Sequence, residues 1–216
     1  MKPLFIAIEG LDGSGGTTQS ARVGDWLAAQ GAKDVVRTRE PSDGPVGRFI
    51  REQLLPGAPT ERLADGVFPY LFAADRRDHL DREILPALEQ GACVVTDRYY
   101  HSSLAYQSLS HGLHAVAELN HGFRAPDLTV VLDMEPEACL ERILARGGTR
   151  DRFEELERLR QVQEAYASVL VWCRTRGERI VRVDASGSRD EVFARIVSHL
   201  RPIATPGARP ASIEDA

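Results

Sequence analysis

The sequence predicts one α/β domain, in which a parallel five-stranded sheet is wrapped by helices on both faces. Short apolar runs alternate with segments of helical spacing, and this alternation is typical of a parallel sheet. The chain has 216 residues, of which 43% are hydrophobic and 27% charged, enough for one sizeable core. We expect a single domain over residues 1–201 and a flexible, proline-containing tail over residues 202–216.

Five short runs predict the strands of this sheet. The first, Leu4–Glu9, is mostly apolar and leads directly into Gly10, which indicates a buried strand. A second strand is indicated by Val35 and Val36 and ends before Glu40-Pro41. The other three strands are predicted over Cys93–Thr96, Leu128–Asp133 and Arg179–Asp184.

Between the strands, apolar residues recur at helical spacing. In the first of these segments Ala21, Leu27 and Ala28 show the spacing, and Gly31 stands where a helix commonly ends. The predicted helices span Thr17–Gln30, Val46–Leu55, Thr60–His79, Asp81–Gln90, Tyr99–Leu109, Pro136–Arg146, Phe153–Arg176 and Ser188–Leu200.

Charge and apolar run length exclude several classes of protein. The net charge is −5, from 27 basic and 32 acidic residues, so no global positive field favours nucleic acid. The longest apolar run, Leu4–Ile8, is far shorter than the ~20 residues of a membrane span. The three cysteines form no close pair, which argues against a disulfide framework or a zinc knuckle. We expect a cytoplasmic protein with no membrane or nucleic-acid partner.

A glycine-rich segment between the first strand and the first helix predicts a phosphate site. Its glycines, Gly10 and Gly15, and its hydroxyl residue, Thr17, have the spacing of the G-x-x-x-x-G-K-[ST] motif. Glycines let several backbone N–H groups point into one concavity, and the helix N-terminus adds a positive dipole. The alternative is a plain turn without a ligand. The predicted ATP-phosphate residues are Gly10, Leu11, Asp12, Gly13, Ser14, Gly15, Gly16, Thr17 and Thr18.

Gly16 occupies the position where the motif requires lysine. An ammonium group near a transferring phosphoryl group is worth about 4 kcal/mol at an effective dielectric of about 20 and a distance of about 4 Å. Its loss should slow transfer by about 10³-fold. Lys2 and Lys33 are the only lysines in the chain, and neither is well placed to replace it, whereas one of the 25 arginines could.

Four further segments complete a pattern with this loop. They are Arg37-Thr-Arg-Glu-Pro41, Phe72-Ala-Ala-Asp-Arg-Arg-Asp-His79, Asp97-Arg-Tyr-Tyr-His-Ser-Ser-Leu-Ala-Tyr-Gln107 and Arg146-Gly-Gly-Thr-Arg-Asp-Arg-Phe-Glu154. In order and spacing, from about Leu4 to Leu200, the chain resembles the thymidylate (dTMP) kinase family. The resemblance implies a P-loop NTPase-like fold with a short lid at about residues 146–154. It also implies ATP as phosphoryl donor, Mg²⁺, dTMP as acceptor and a homodimer.

The resemblance also implies the acceptor site. Asp12 would accept a hydrogen bond from the deoxyribose 3′-OH, although Asp-Gly is also a common turn pair. Arg39 would grip the monophosphate, unless it is simply an exposed arginine before a turn. Phe72 would stack on thymine and Arg76 would donate to its exocyclic oxygen; residues four apart share a helix face, although a lone Phe is ordinarily core. The full implied dTMP-binding set is Asp12, Arg39, Glu40, Phe72, Arg76, Arg98, Ser103, Tyr106 and Gln107.

The metal ligands and the catalytic cations follow from the same resemblance. Asp97 lies at a strand end, where it could hold Mg²⁺ through water while Thr17 supplies a direct oxygen; its alternative role is the N-cap of the following helix. The glycine-rich loop holds no arginine. In this respect the chain resembles those family members that carry their basic catalytic residues in the lid. We expect Arg142 at a solvated helix end. The implied catalytic residues are Arg98, Arg146, Arg150 and Arg152.

The leading hypothesis is a kinase that transfers a phosphoryl group from ATP to dTMP, with a rate reduced by Gly16. A second hypothesis is a catalytically weak or inactive nucleotide-binding homologue that acts as a sensor or partner. A third hypothesis keeps the kinase class and changes the acceptor to a modified pyrimidine monophosphate. Phe72, Arg76 and Tyr106 do not determine which substituent the ring carries at its 5-position.

Overall fold

Five strands form one parallel sheet at the centre of the molecule, as predicted. The structure is a computed structural model that describes residues 1–54, 63–147 and 152–204. The strands lie in the order β2-β3-β1-β4-β5. Their bounds are β1 Phe5–Gly10, β2 Val35–Arg39, β3 Cys93–Asp97, β4 Leu128–Asp133 and β5 Ile180–Asp184.

Ten α-helices in the described segments connect and flank these strands. They are α1 Gly16–Ala29, α2 Pro45–Leu54, α3 Phe68–His79, α4 Leu85–Glu89, α5 Tyr100–Tyr106, α6 Ser108–His111, α7 Leu113–Leu119, α8 Pro136–Ala145, α9 Arg152–Thr175 and α10 Arg189–Ala204. Helix α1 packs on β2, β3 and α10, while α9 packs on α5 and α8. None of these helices has the length and apolar character needed to cross a bilayer.

The burial of each strand follows from its position in the sheet. Every residue of β1 is buried, and β4 is buried up to its last residue, because both have neighbours on each side. The edge strand β2 has only intermediate and exposed residues. The apolar runs that predict the inner strands are therefore the runs that the sheet buries on both faces.

Two helix boundaries differ from the prediction around α3. Its predicted start at Thr60 is wrong, because Leu63 and Ala64 are not helical and α3 begins only at Phe68; residues 60–62 lie outside the described part. The predicted break after His79 is also wrong, since a π-helical turn over Leu80–Ile84 joins α3 to α4. Pro86 accounts for that turn: its ring would collide with the carbonyl four residues earlier in a regular helix.

Helix ends also differ later in the chain. The helix predicted over Tyr99–Leu109 divides into α5 and α6, and Gly112, at φ +75°, separates α6 from the unpredicted α7. Helix α10 continues through Pro202 to Ala204, past the predicted end at Leu200. Residues 202–204 of the expected tail are thus helical, and residues 205–216 lie outside the description.

The carboxyl ends of three adjacent strands place the site. In the parallel register Ile8 of β1 lies beside Asp97 of β3, and Arg39 of β2 lies on the other side of Asp97. Gly10 ends β1 at the same edge. Ligands of open α/β sheets gather at this edge, so the fold brings the glycine-rich loop, Asp97 and Arg39 together there.

Candidate active site

The loop between β1 and α1 requires glycine at defined positions. Gly10, Gly13 and Gly15 have φ of +146°, +90° and +106°. A Cβ at Gly10 would lie 2.8 Å from the backbone oxygen of Leu132, and one at Gly13 would lie 2.5 Å from that of Cys139. The loop thus combines left-handed backbone with close approach to two neighbouring elements, more than a plain turn demands.

The loop surrounds a polar cavity. Helix α1 begins at Gly16 with no side-chain cap from any described residue, so its first N–H groups face outward for an anion. A cavity of about 160 Å³ opens there, lined by residues 8–18 together with Asp97, Arg98 and Arg146. All nine residues of the predicted phosphate loop line this cavity.

Thr17 and Asp97 form an oxygen pair at the cavity. The Thr17 hydroxyl donates to Asp97 Oδ2 at 2.6 Å. Burial raises the pKa of the Asp97 carboxyl, and the bond from Thr17 opposes that rise. Asp97 is not the N-cap of α5, because Tyr99 holds that position and gives no side-chain cap. A hydroxyl and a carboxylate at a phosphate loop are ligands that fit Mg²⁺.

Gly16 lies close to the carboxylate of this pair. A Cβ built on Gly16 would lie 2.8 Å from Asp97 Oδ1. The clash is with the end of a flexible side chain, so a larger residue at position 16 requires only that the carboxylate rotate. Gly16 has an ordinary negative φ and thus no backbone reason to be glycine.

Asp12 lies between two arginines. Arg98 Nη2 donates to its Oδ1 at 2.8 Å, and Arg158 Nη2, from α9, donates to its Oδ2 at 3.1 Å. The backbone N–H of Asp12 donates to the Tyr106 hydroxyl at 3.1 Å. Both guanidinium groups also lie over the Tyr106 ring, at 5.1 and 5.5 Å from its centroid. This arrangement connects the phosphate loop to α5 and α9.

Arg98 has a strained backbone conformation, and its side chain is linked through Ser102 to the buried carboxylate of Glu9. Its φ of +72° is the only positive value at a described non-glycine residue. Its Nη1 donates to Ser102 Oγ at 2.8 Å, and Ser102 in turn donates to Glu9 Oε2 at 2.5 Å. Glu9 also accepts the backbone N–H of Tyr99 at 2.8 Å and the Tyr166 hydroxyl at 2.9 Å. Strain of this kind persists only when its surroundings determine it.

A second buried network holds the predicted acceptor residues. Arg76, 1% exposed, donates from Nε and Nη2 to Glu40 Oε2 at 2.9 and 2.6 Å. It also donates to Ser103 Oγ at 3.2 Å and to Asn120 Oδ1. These bonds use four of its five N–H donors, so one hydrogen on Nη1 has no partner among the described residues. His79 adds a bond from Nδ1 to Glu40 Oε1 at 3.2 Å.

The other predicted acceptor residues lie around this network. Phe72, one helical turn before Arg76, is partly exposed and does not belong to the apolar residues that pack against the main core. Arg39 is 57% exposed and its Nη2 donates to Asp43 Oδ1 at 2.8 Å. Tyr106 and Gln107 end α5 in partly buried positions.

The predicted lid arginines lie at the end of α8 and the start of α9. Arg146 caps α8 and lines the cavity, and Arg152 begins α9, exposed. Arg150 lies outside the described residues. Arg142 lies in the last turn of α8, as expected, but it is only partly exposed, because its Nη1 lies 3.4 Å from the carbonyl oxygens of Gly13 and Ser14.

Sequence reasoning missed Glu9, Ser102, Arg158 and Tyr166 as parts of this site. Glu9 carried a signal, because a charged residue inside an otherwise apolar strand needs a buried partner. Arg158 carried none, since an arginine on a long polar helix is ordinarily exposed. Its contact with Asp12 joins residues 146 positions apart.

A glycine-rich loop that follows a buried central strand, at the carboxyl end of a parallel sheet, defines a P-loop NTPase fold. The profile of the thymidylate kinase family matches residues 8–196. The chain is 42% identical to thymidylate kinase of Jannaschia sp. (strain CCS1) over 196 residues, which covers 89% of this chain and 93% of that protein. It is 39% identical to the probable thymidylate kinase of Pyrobaculum calidifontis over 196 residues, covering 90% and 94%.

The fold agrees with a solved structure. The crystal structure of thymidylate kinase from Ehrlichia chaffeensis matches with a TM-score of 0.72 and 24% identity, covering 93% of this chain and 100% of that one. The chain therefore belongs to the thymidylate kinase family, a family of kinase phosphotransferases.

Proposed function

We propose that this protein transfers a phosphoryl group from ATP to dTMP, giving ADP and dTDP. The observation that carries the proposal is the position of Asp12, which belongs to the phosphate-loop cavity and also contacts Arg98 and Tyr106 of the acceptor side. This one residue would thus join the donor site to the acceptor site. The curated relatives, named thymidylate kinase, support dTMP as the acceptor.

The donor side supplies backbone dipoles and one oxygen pair. The loop N–H groups and the N-terminus of α1 would bind the ATP phosphates. Thr17 and Asp97 would hold Mg²⁺, which when bound neutralises phosphate charge. Arg98, Arg146, Arg152 and Arg150 would complete the neutralisation, and Arg98 and Arg146 already line the cavity.

The acceptor side supplies a base site and a phosphate site. The free Nη1 hydrogen of Arg76 would donate to the thymine oxygen, and Phe72 would stack on the ring. Arg39, at the end of β2, would bind the monophosphate in exchange for Asp43. Tyr106, Gln107 and Ser103 would line the sugar and base.

In the reaction, an oxygen of the dTMP phosphate attacks the γ-phosphorus of ATP while the bond to the ADP oxygen breaks. This transfer needs positioning and charge neutralisation more than covalent chemistry. The absence of a lysine at position 16 should therefore lower the rate of transfer without abolishing the reaction. We also propose that residues 1–201 act as one domain with a lid at about 146–154, and that two chains form a homodimer.

A coupled assay of ADP release tests the function, with wild-type protein beside Gly16→Lys and with dTMP omitted as the control. We expect weak, dTMP-dependent turnover in the wild type and a gain of about 10³-fold in Gly16→Lys. A wild type that is already fast, with no gain in the variant, would show that another residue has taken over the role of the lysine, and Arg146, Arg150 and Arg152 would be substituted next.

The alternative functions give different results in the same design. If both proteins bind dTMP and ATP by calorimetry but release no ADP above background, the kinase proposal is wrong and the non-catalytic binding role is favoured. If a 5-substituted pyrimidine monophosphate exceeds dTMP in kcat/KM, the acceptor assignment is wrong while the reaction class stands.

A further inference from the structure

A cluster of potential metal ligands lies apart from the nucleotide site. It consists of His101 on α5, Cys173 on α9 and Glu178 before β5, and we call it the His-Cys-Glu cluster. One ligand atom from each residue lies within 4.8 Å of the others. The side chains of His101 and Glu178 are 0% and 14% exposed, and Cys173 is fully buried. No residue of the cluster lines the phosphate-loop cavity.

The orientation of His101 is that of a metal ligand with a carboxylate behind it. Its Nε2 faces the cluster, 3.1 Å from Glu178 Oε2. Its Nδ1 is buried without a hydrogen-bond partner in the described chain and points toward Glu9 Oε1, 3.7 Å away. A histidine that binds a metal through one nitrogen commonly directs the other toward a carboxylate, which fixes the ring and its tautomer.

The remaining contacts support the other ligands. The Tyr100 hydroxyl donates to Glu178 Oε2 at 2.5 Å, and the Tyr100 ring stacks on the His101 ring at 4.1 Å. These contacts hold the carboxylate and the imidazole in place. The partial exposure of Glu178 leaves a path for an ion and for a water as fourth ligand.

From this geometry we propose that His101, Cys173 and Glu178 form a site for Zn²⁺ or a similar thiophilic divalent cation. Thiolate, imidazole and carboxylate together suit Zn²⁺ and Co²⁺, whereas Mg²⁺ prefers oxygen ligands only. The site is therefore distinct in chemistry from the Thr17–Asp97 pair.

Titration of the chelator-treated full chain with Co²⁺, in excess Mg²⁺ and without nucleotide, tests the site. We expect one Co²⁺ per chain and a thiolate-to-cobalt charge-transfer band in the near ultraviolet. Zn²⁺ should remove the band by displacement. Because no variant is needed, these readouts do not depend on whether a mutant folds.

Cys173→Ser identifies the thiolate, and Cys139→Ser, at another buried free cysteine on α8, is the matched control. The band should disappear in Cys173→Ser and persist in Cys139→Ser. A wild type that gives no charge-transfer band, or a band that survives in Cys173→Ser, overturns the proposal. Either result would leave the kinase proposal untouched, since the assay measures no turnover.

Discussion

Arg158 holds the carboxylate of Asp12 from the side opposite Arg98. Its Nη2 donates to Oδ2 at 3.1 Å, while Arg98 donates to Oδ1 at 2.8 Å. The Nε of Arg158 is buried and has no hydrogen-bond partner in the described structure. Arg158 thus brings a second positive charge from α9 to the loop that lacks a lysine, and it fixes the carboxylate proposed to bind the sugar.

We expect Arg158→Gln to lower kcat/KM for dTMP by about tenfold, because a charge-assisted hydrogen bond contributes about 1.5–3 kcal/mol and this one is partly exposed. The KM for ATP should change by less than about twofold. Steady-state ADP release with each substrate varied separates the two effects. The matched control is Arg160→Gln on the same helix, which pairs with Glu137 at the surface.

A double-mutant cycle with Asp12→Asn locates the effect. If Arg158 acts through Asp12, the double variant should lose less than the sum of the two single losses. Strict additivity would contradict the assignment.

Asp97→Asn should weaken the binding of Mg²⁺ at the Thr17–Asp97 pair. Loss of a water-mediated carboxylate ligand costs about 10–100-fold in metal affinity, so the half-saturating Mg²⁺ concentration should rise by at least about tenfold. The measurement is ADP release at saturating nucleotides across a Mg²⁺ titration.

The matched control for that experiment is Asp133→Asn. Asp133 also ends a strand of the sheet, but it pairs with Arg182 at 2.8 Å. An unchanged Mg²⁺ profile in Asp97→Asn, or an equal shift in both variants, would count against the metal site.

Gly13→Ala should destabilise the fold more than Gly31→Ala. Both glycines have similar positive φ, +90° and +86°, so both variants bear the left-handed backbone cost of about 1–2 kcal/mol. Only at Gly13 would the new Cβ lie 2.5 Å from a backbone oxygen, that of Cys139, whereas at Gly31 no described atom lies within 4 Å.

The added clash should cost a further ~1–3 kcal/mol of unfolding free energy, measured by urea denaturation of both variants. Equal losses would show that the loop yields to the methyl group and that α8 does not constrain it.

Local chemistry explains which parts of the fold and site the sequence predicts. The apolar run before Gly10 is buried over its full length, and glycine spacing alone identifies the loop. The position of Asp97 beside the loop follows from the rule that the carboxyl ends of parallel strands meet at one edge of the sheet. Its register with Ile8 agrees with that position. The π-helical turn before Pro86 was not predicted, because either a break or a bulge relieves the same proline clash.

Long-range contacts account for what the sequence misses. Arg158 reaches Asp12 only because α9 packs against α5 with this residue turned toward the loop, and no local pattern encodes that rotation. The bond of Tyr166 to Glu9 is of the same kind. Arg142 was expected at a solvated helix end, yet its side chain contacts a backbone carbonyl of the loop between β1 and α1. Such contacts depend on how whole helices pack.

The pH dependence of stability should report His79. Burial alone would lower its pKa, but the hydrogen bond and charge of Glu40, followed by the charges of Glu83 and Asp75, raise it above 6.5. A group whose folded pKa is raised stabilises the fold fully below its unfolded pKa of about 6.5 and loses that contribution as the pH rises through the folded value.

We therefore expect wild-type protein to exceed His79→Gln in unfolding free energy most at about pH 5.5, with the difference shrinking steadily above about pH 6.5. Urea denaturation at a series of pH values from about 5.5 to 9 measures this difference. His199→Gln, an exposed site on α10, is the control and should follow the wild-type profile. A difference between wild type and His79→Gln that is constant with pH would show that His79 acts through packing alone, and one that grows with pH would reverse the assigned sign.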